Sequence, residues 1–190
     1  MKIILATNNK HKLEEINNIA KGYDIEFILP PETFDPIETG TTFSENSYIK
    51  ASEAAKLTNH MALADDSGLC VEALNGRPGI HSARYADTQD KRIEKLLKEL
   101  EPYDNKKAKF VCCMTLVNET GNIIHQSIGE CKGEITSNRK GANGFGYDPI
   151  FKPDSYECTL AELSEDEKNK ISHRGHALRN MLEFLKGFNL

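Results

Sequence analysis

The chain begins with the stretch MKIILATNNKHKLEEINNIAKGYDIEFILPP, residues 1–31, and this stretch decides the fold class. Residues 2–6 are a mostly apolar run with the length of a buried strand, and a polar loop ends it. Apolar side chains then recur at helical spacing over residues 13–20, Gly22 marks a helix end, and residues 25–29 form a second strand. A strand–loop–helix–strand order predicts an α/β architecture.

The remaining segments alternate between helical and extended patterns. In order they are a helix over residues 43–58, a short strand over 61–64 that ends before Asp65, an amphipathic helix over 88–100, strands over 108–118 and 122–135, and helices near 159–168 and 174–187. No repeat or flexible linker interrupts them, so we expect a single domain over residues 1–190. The composition becomes β-rich after Pro102, and a second lobe would lie mainly over residues 103–155.

The composition is that of an ordinary globular chain, since 38% of the 190 residues are hydrophobic and 28% are charged. A net charge of −5 argues against binding to nucleic acid, which requires a basic face, although a cluster of lysines can still bind a small anion. The apolar runs are too short to span a membrane or to act as a signal peptide. We therefore expect no membrane contact and a cytoplasmic location.

The polar loop after the first strand is a candidate phosphate site. It reads Thr7-Asn8-Asn9-Lys10-His11-Lys12 and lies directly before a predicted helix. A helix start offers backbone N–H groups and the positive end of the helix dipole, and both stabilise phosphate. Lys12, in the first turn, would reach an oxygen of the same phosphate chain. The alternative is a polar helix cap with solvated lysines.

Three acidic residues are candidates for metal binding and proton transfer. Asp65 and Asp66 follow the predicted strand that ends at Ala64, and Glu38 lies in a polar loop. Adjacent carboxylates repel each other unless a cation offsets them, and Mg²⁺ accepts oxygen ligands while keeping several waters. One carboxylate would bind the metal and another would accept a proton from water. A turn capped by Asp66 and Ser67 is the alternative interpretation.

The glycine-rich segment over residues 141–148 is a candidate base-binding wall. Glycines let the backbone approach a ligand closely, and Phe145 and Tyr147 offer flat faces for stacking. Asp148 adds a hydrogen-bond acceptor, and a second cluster, Lys168 with residues 172–175, adds cations. The alternative for residues 141–148 is a tight turn whose aromatic rings enter the core. The alternative for the cationic cluster is a surface helix cap.

Taken together, six segments resemble the inosine triphosphate pyrophosphatase family. They occur in the family's order from residue 6 to residue 175. They are Ala6-Thr7-Asn8-Asn9 with Lys12; Glu38-Thr39-Gly40-Thr41-Thr42-Phe43 with Glu45-Asn46 and Lys50-Ala51; Ala64-Asp65-Asp66-Ser67-Gly68-Leu69; Pro78-Gly79-Ile80-His81-Ser82-Ala83-Arg84-Tyr85; Gly144-Phe145-Gly146-Tyr147-Asp148-Pro149-Ile150-Phe151; and Ser172-His173-Arg174-Gly175. One such segment would be weak support, whereas six in order are specific.

The resemblance implies a role for each candidate. The implied substrate contacts are Thr7, Asn8, Asn9, Lys10, His11, Lys12 and Lys50 for the triphosphate, Ser67, and Phe145, Gly146, Tyr147, Asp148, Lys168, His173 and Arg174 for the base and phosphate. Glu38 and Asp66 would hold Mg²⁺, Asp65 being a further candidate, and Asp66 would accept the proton. The family loop commonly reads Thr-Gly-Asn, and Asn8 replaces its glycine; asparagine tolerates left-handed backbone angles better than most residues.

The resemblance also implies a fold and an activity. The fold would be an elongated α/β structure with a mixed central sheet flanked by helices, two lobes and an active-site cleft between them, and the protein would be a homodimer. The enzyme would hydrolyse ITP, dITP and XTP to the nucleoside monophosphate and pyrophosphate, cleansing the nucleotide pool.

Three other functions remain open at this point. A Maf-like pyrophosphatase, acting on dTTP, UTP or modified pyrimidine nucleotides, resembles this family in fold and in its opening loop. A nucleotide sensor without turnover is a second possibility, although a binder of polyanions gains little from three carboxylates near its ligand. A structural or interaction protein is the third.

Overall fold

The computed structural model describes residues 1–8 and 10–188, and for His11 only the backbone. Over these residues it contains six strands and five α-helices. In chain order they are β1 (Lys2–Leu5), α1 (Lys10–Ile19), β2 (Glu26–Ile28), α2 (Phe43–Thr58), β3 (Ala62–Val71), α3 (Gln89–Leu100), β4 (Lys107–Val117), β5 (Ile123–Ile135), β6 (Phe151–Pro153), α4 (Glu165–Ile171) and α5 (His173–Gly187). The predicted α/β class is confirmed.

The six strands form one mixed sheet in the order β2-β1-β3-β4-β5-β6. β1 pairs in parallel with both β2 and β3, with Ile3 opposite Phe27 and Ile4 opposite Ala62, whereas β5 and β6 are antiparallel. Parallel neighbours need a crossover connection, and α1 supplies it between β1 and β2. The opening unit therefore has the architecture that residues 1–31 predict.

The chain divides into two compact units. Unit 1 comprises the described residues of Met1–Asp66, Cys112–Gly129 and Gly175–Leu190, and unit 2 comprises Ser67–Val111 and Glu130–Arg174. The boundaries fall inside β3, β4 and β5. No helix of the described chain combines the length and the apolar composition that a membrane crossing requires.

Each unit has its own apolar core. In unit 1, residues such as Ile3, Phe27 and Leu182 pack together, and a second cluster of small side chains lies along α2 and the start of β3. In unit 2, the buried face of α3 packs with residues of β4, β5 and β6. Ile93 and Leu96 are buried in that face, which confirms the predicted amphipathic helix.

Helix α2 begins and ends where the sequence predicts. Thr42 is its N-cap, and the Thr42 hydroxyl accepts a hydrogen bond from the Glu45 N–H at 3.1 Å. Asn59 closes the helix in the left-handed conformation, with φ of 56°. Both ends are therefore fixed locally, and the helix presents Asn46 and Lys50, one turn apart, on one face.

The predicted end of the third strand at Ala64 is wrong, because β3 continues to Val71 and includes Asp65 and Asp66. A Cβ at Gly68 would lie 2.2 Å from the Gly79 carbonyl oxygen, and the N–H of Leu69 donates to the Ser82 hydroxyl at 2.9 Å. These long-range contacts extend the strand through residues that are typical of turns. The alternative of a turn capped by Asp66 and Ser67 is therefore excluded.

The C-terminal segment also differs from the prediction. The helix expected near 159–168 is a 3₁₀ turn over Leu160–Glu162 followed by α4, and each begins with a capping box, Thr159 with Glu162 and Ser164 with Glu167. The cap at Ser164 begins a separate helix, α4, at Glu165. Strand β6, with three residues, was not predicted.

Candidate active site

Unit 1 brings three carboxylates and two lysines together. The Lys50 ammonium lies 2.8 Å from Glu38 Oε1 and 3.4 Å from Asp66 Oδ1. The Lys12 ammonium contacts both carboxylate oxygens of Asp65, at 3.0 and 3.1 Å. We call these five residues the acid–lysine cluster. Successive side chains of a strand point to opposite faces, so Asp65 and Asp66 meet lysines from different helices.

Asp66 has an unusual environment within this cluster. Only 9% of the residue is exposed, and burial raises the pKa of its carboxyl group. The neighbouring charges of Glu38 and Asp65 raise this pKa further, while Lys50 and the amide of Asn46 oppose the rise. A carboxylate with a raised pKa is a better proton acceptor near neutral pH than an ordinary one.

Lys50 is the central cation of the acid–lysine cluster. Burial by itself would lower the pKa of its ammonium group, but the negative charges of Asp65, Asp66 and Glu38 reverse the sign and raise the pKa overall. Lys50 therefore stays charged. Its ammonium offsets the repulsion between Glu38 and Asp66.

One oxygen of Asp66 is left over. Asp66 Oδ2 is buried and has no hydrogen-bond partner among the residues that the structure describes. Buried carboxylate oxygens are ordinarily paired, so an orphaned one indicates a place for a water, an ion or a ligand. The same part of the chain contains no group of three or more His, Cys, Asp or Glu side chains arranged to hold a metal ion.

The loop before α1 is only partly described. The Asn8 amide donates to the Phe34 carbonyl at 2.7 Å, which ties the loop to the segment before α2. The N–H of Thr7 donates to the Leu5 carbonyl at 2.8 Å, and Lys10 is exposed at the first position of α1. Asn9 and the side chain of His11, two of the predicted phosphate ligands, lie outside the described residues.

Unit 2 holds the glycine-rich segment in a defined loop around Asp148. The buried carboxylate of Asp148 accepts hydrogen bonds from the Phe145 N–H at 3.0 Å and from the Lys168 ammonium at 2.6 Å. Gly144 has φ of 73°, and a Cβ there would lie 2.2 Å from Asp148 Oδ2. Only glycine therefore allows the loop to close over this carboxylate.

The loop presents the ring of Phe145 to solvent. Phe145 is 54% exposed, which is unusual for a large aromatic residue in an ordered turn. The Lys168 ammonium lies 4.8 Å and the Arg174 guanidinium 5.7 Å from the ring centroid, both within cation–π range. Arg174 is buried, and its Nη2 reaches the Ser67 hydroxyl at 3.4 Å. An exposed ring beside two cations suits a flat, electron-rich ligand.

Two of the predicted base contacts lie in the interior of unit 2. Tyr147 is buried, and its hydroxyl donates to the Ser82 carbonyl at 3.0 Å. His173 is also buried and stacks on Phe110 with ring centroids 4.8 Å apart. Gly146 has its N–H bound by Gln89 Oε1 at 3.0 Å, so the N-terminus of α3 helps to fix the loop.

The sequence alone gives no individual role to Asn46, Gly144 or Gln89. Asn46 is buried beside Asp66, and its spacing of four residues from Lys50 on a predicted helix was a usable signal. Gly144 supports Asp148, and Gln89 holds the glycine-rich loop from a distant part of the chain. Nothing local in the sequence indicates the contact of Gln89.

An α/β sheet with an acid–lysine cluster and a cation-flanked aromatic loop defines the chain as one of the α/β enzymes that act on nucleotides. The particular family follows from comparison with known proteins. The Ham1 family model matches residues 3–184, and the chain belongs to this family. The resemblance indicated by the six motifs is confirmed.

Curated relatives and solved structures agree with this assignment. A dITP/XTP pyrophosphatase of Prochlorococcus marinus (strain NATL1A) is 45% identical over 184 residues, covering 97% of this chain and 93% of the relative. A dITP/XTP pyrophosphatase of Aquifex aeolicus is 44% identical, with coverage of 98% and 97%. The structure of a HAM1 protein from Coxiella burnetii matches with a TM-score of 0.93 and 44% identity, covering 99% of this chain and 100% of that one.

Proposed function

We propose that this chain hydrolyses non-standard purine nucleoside triphosphates, ITP, dITP and XTP, to the nucleoside monophosphate and pyrophosphate. The observation that carries the proposal is the unpartnered, buried oxygen of Asp66 inside the acid–lysine cluster. Curated relatives of this chain are named dITP/XTP pyrophosphatases. The alternative of a Maf-like enzyme acting on pyrimidine nucleotides finds no support in these comparisons.

In the proposed step, water attacks a phosphorus of the triphosphate and one phosphoanhydride bond breaks. The new bond joins the water oxygen to phosphorus, the bridging electron pair leaves with the departing phosphate group, and Asp66 accepts the proton of the water. Burial raises the pKa of Asp66, which favours that acceptance. On substrate binding, Lys12 and Lys50 would add contacts with phosphate oxygens to those with their carboxylates, since an ammonium group has three N–H donors.

The acid–lysine cluster fits a divalent cation of the Mg²⁺ type. Glu38 and Asp66 both contact the Lys50 ammonium, at 2.8 and 3.4 Å, so both carboxylates face the same place in the cluster. Mg²⁺ is commonly held by one or two carboxylates together with substrate phosphates, and no larger cage is required. Glu38 and Asp66 are the proposed ligands, and Asp65 is a further candidate. When bound, Mg²⁺ would supply neutralisation of the phosphate charge.

The triphosphate is assigned to residues of unit 1. The proposed contacts are Thr7, Asn8, Asn9, Lys10, His11, Lys12 and Lys50. The position of Lys12 in the first turn of α1 supports this assignment, since a helix start favours anions. The Asn8 side chain is engaged with the Phe34 carbonyl, so its N–H or a rotated side chain would serve the phosphate.

The purine base is assigned to residues of unit 2. Phe145 would stack on the base, and Lys168 and Arg174 would donate to the 6-oxo oxygen, where adenine carries an amino group instead. Gly146, Asp148 and Ser67 would complete the wall. Tyr147 and His173 are proposed base contacts as well, and their burial means that they would act by supporting the loop and Arg174.

Replacing Phe145 with Ala is expected to raise KM for ITP by about ten- to a hundredfold, because one stacked base contributes about 1–3 kcal/mol. The exposed ring contributes little to the core, so the melting temperature should change little. Steady-state kinetics and thermal unfolding measure the two effects. Tyr103→Ala, which removes a ring that is 45% exposed elsewhere in unit 2, is the matched control. An unchanged KM in Phe145→Ala would refute the stacking role.

A double-mutant cycle tests the pair of Lys12 and Asp65. Asp65→Asn is expected to raise KM for ITP about tenfold, because Lys12 loses the carboxylate that holds it in place. In a Lys12→Met background the same change should alter KM less than about twofold, since the residue through which Asp65 acts is gone. Additive effects in the steady-state KM would show that Asp65 acts elsewhere, for example on the metal.

Product analysis tests the proposed reaction itself. Incubation of ITP with the protein and Mg²⁺ should yield IMP and pyrophosphate in equal amounts, resolved by ion-exchange chromatography and a pyrophosphate assay. IDP with inorganic phosphate would indicate a different phosphoanhydride specificity.

Cellular location and assembly belong to the same proposal. A nucleotide-cleansing enzyme would work in the cytoplasm, where the precursors of nucleic acids are kept, and none of the five cysteines forms a disulfide among the described residues.

The family resemblance supports a homodimer. Analytical ultracentrifugation should give about 43 kDa, twice the chain mass of 21.3 kDa, and a monomer would contradict the assembly.

A further inference from the structure

Asn46 occupies a position in unit 1 that the assigned roles leave unexplained. It lies on α2 one turn before Lys50, and only 1% of the residue is exposed. Residues four apart on a helix share a face, so Asn46 faces the acid–lysine cluster together with Lys50. Its amide lies beside the Asp66 carboxylate and favours the charged form of that group.

One end of the Asn46 amide is fixed by the loop that carries Glu38. Asn46 Oδ1 accepts a hydrogen bond from the Gly40 N–H at 2.9 Å, two residues after Glu38. A Cβ at Gly40 would lie 2.6 Å from this oxygen, so the contact requires glycine. Because Oδ1 faces Gly40, the orientation of the amide is settled and Nδ2 is the end left for the cluster.

The other end of the amide is an unused donor next to an unused acceptor. Asn46 Nδ2 and Asp66 Oδ2 are both buried, and neither has a hydrogen-bond partner within the described part of the chain. Buried unpaired polar atoms call for an explanation, and an interaction of the Asn46 amide with the Asp66 carboxylate, which opposes the rise in the pKa of Asp66, supplies one. Helix α2 has a separate anchor at the next residue, because the Ser47 hydroxyl forms a hydrogen bond with the Thr115 hydroxyl at 2.6 Å.

We propose that Asn46 is a positioning residue for the proposed hydrolysis, holding the Glu38 loop with Oδ1 and orienting the Asp66 carboxylate with Nδ2. The inference rests on the proposed function. The Asn46 amide thereby fixes the position of Glu38 relative to Asp66, the two carboxylates proposed to act on one substrate. Loss of this coupling should slow the chemical step and leave nucleotide binding largely intact.

The test compares Asn46→Asp and Asn46→Ala with the wild type. Asn46→Asp keeps an oxygen for Gly40 but replaces the donor with a second oxygen and adds a negative charge, whereas Asn46→Ala removes both polar atoms and adds no charge. Asn17→Asp is the matched control in the same unit, because the Asn17 amide also accepts from one backbone N–H and donates to one carbonyl, both of Phe27 at 3.2 Å. The readouts are kcat for ITP, the Kd of α,β-methylene ITP by calorimetry, and the melting temperature.

Both Asn46 variants should lose kcat about a hundredfold, and Asn46→Ala, which adds no charge, should keep the Kd of the analogue within about threefold, since misplaced reacting groups slow chemistry more than binding. Asn17→Asp should keep kcat within about twofold. The inference is overturned if the Asn46 variants retain kcat, or if kcat, analogue binding and melting temperature fall together in Asn46→Ala, as for a purely structural residue. A wild type without turnover of ITP would instead refute the proposed function.

Discussion

Asp66→Asn is expected to lower kcat for ITP hydrolysis about a thousandfold, the typical contribution of a positioned general base. The amide has nearly the shape of the carboxylate but cannot accept the proton of the attacking water. It would also weaken the proposed cation site of Asp66 and Glu38. Binding should persist, because Lys12 and Lys50 keep their charges and the base contacts are untouched.

The measurement pairs initial rates of pyrophosphate release with a nucleotide-induced thermal shift. Asp24→Asn, a change at an exposed carboxylate of unit 1, is the control and should behave as the wild type. The same experiment separates an enzyme from a sensor. A sensor without turnover would give equal signals for the wild type and Asp66→Asn in both assays, and that result would contradict the catalytic role.

Lys50→Met should have the second largest effect, lowering kcat/KM about a hundredfold, since preorganised positive charge at a reacting phosphate is commonly worth that much. The Lys50 ammonium lies between Glu38 and Asp66, so its removal leaves two partly buried carboxylates facing each other. Stability should fall as well, by about 3 kcal/mol in the free energy of unfolding, because one partner of a buried ion pair is lost.

Denaturant unfolding and steady-state kinetics measure both effects. Lys56→Met, in the last turn of the same helix and exposed, removes the same charge away from the cluster. It should leave kcat/KM within about twofold and the stability within about 0.5 kcal/mol. Normal activity of Lys50→Met would contradict the proposal that Lys50 binds the phosphate. Normal stability would contradict the conclusion that the Lys50 charge offsets the repulsion between Glu38 and Asp66.

Helices and strands whose ends are set by nearby residues could be predicted from the sequence. The bounds of α2 were predictable because a threonine cap precedes a stripe of small apolar residues and an asparagine ends it. The hairpin strands β4 and β5 were also predictable, since β-rich segments flank a polar turn that contains Gly121. These elements have their own start and stop residues.

Long-range contacts controlled the parts that were missed. Residues 65–68 resemble a turn by composition, but contacts with Gly79 and Ser82 extend β3 through them. The consequence for the site is considerable. Because Asp65 and Asp66 lie in a strand and not in a turn, their side chains point to opposite faces and each contacts a different lysine. These contacts offset the repulsion between the two carboxylates.

The candidate site shows the same division. Residue types and order were sufficient to identify the family, because six segments recur together. The pairing of Lys12 with Asp65, 53 positions apart, and the contacts of Asn46 and Gln89 depend on the folded chain. Asn46 in particular has a common residue type on an ordinary helix, and only its burial beside Asp66 distinguishes it.

The measurement that tests the central claim most directly is the rate of pyrophosphate release from ITP, XTP, GTP, ATP and dTTP, each with Mg²⁺ and with EDTA. We predict fast release from ITP and XTP that depends on Mg²⁺, rates lower by about two orders of magnitude or more for GTP and ATP, and none above background for dTTP. Release from dTTP alone, or equal rates with all five nucleotides, would contradict the account.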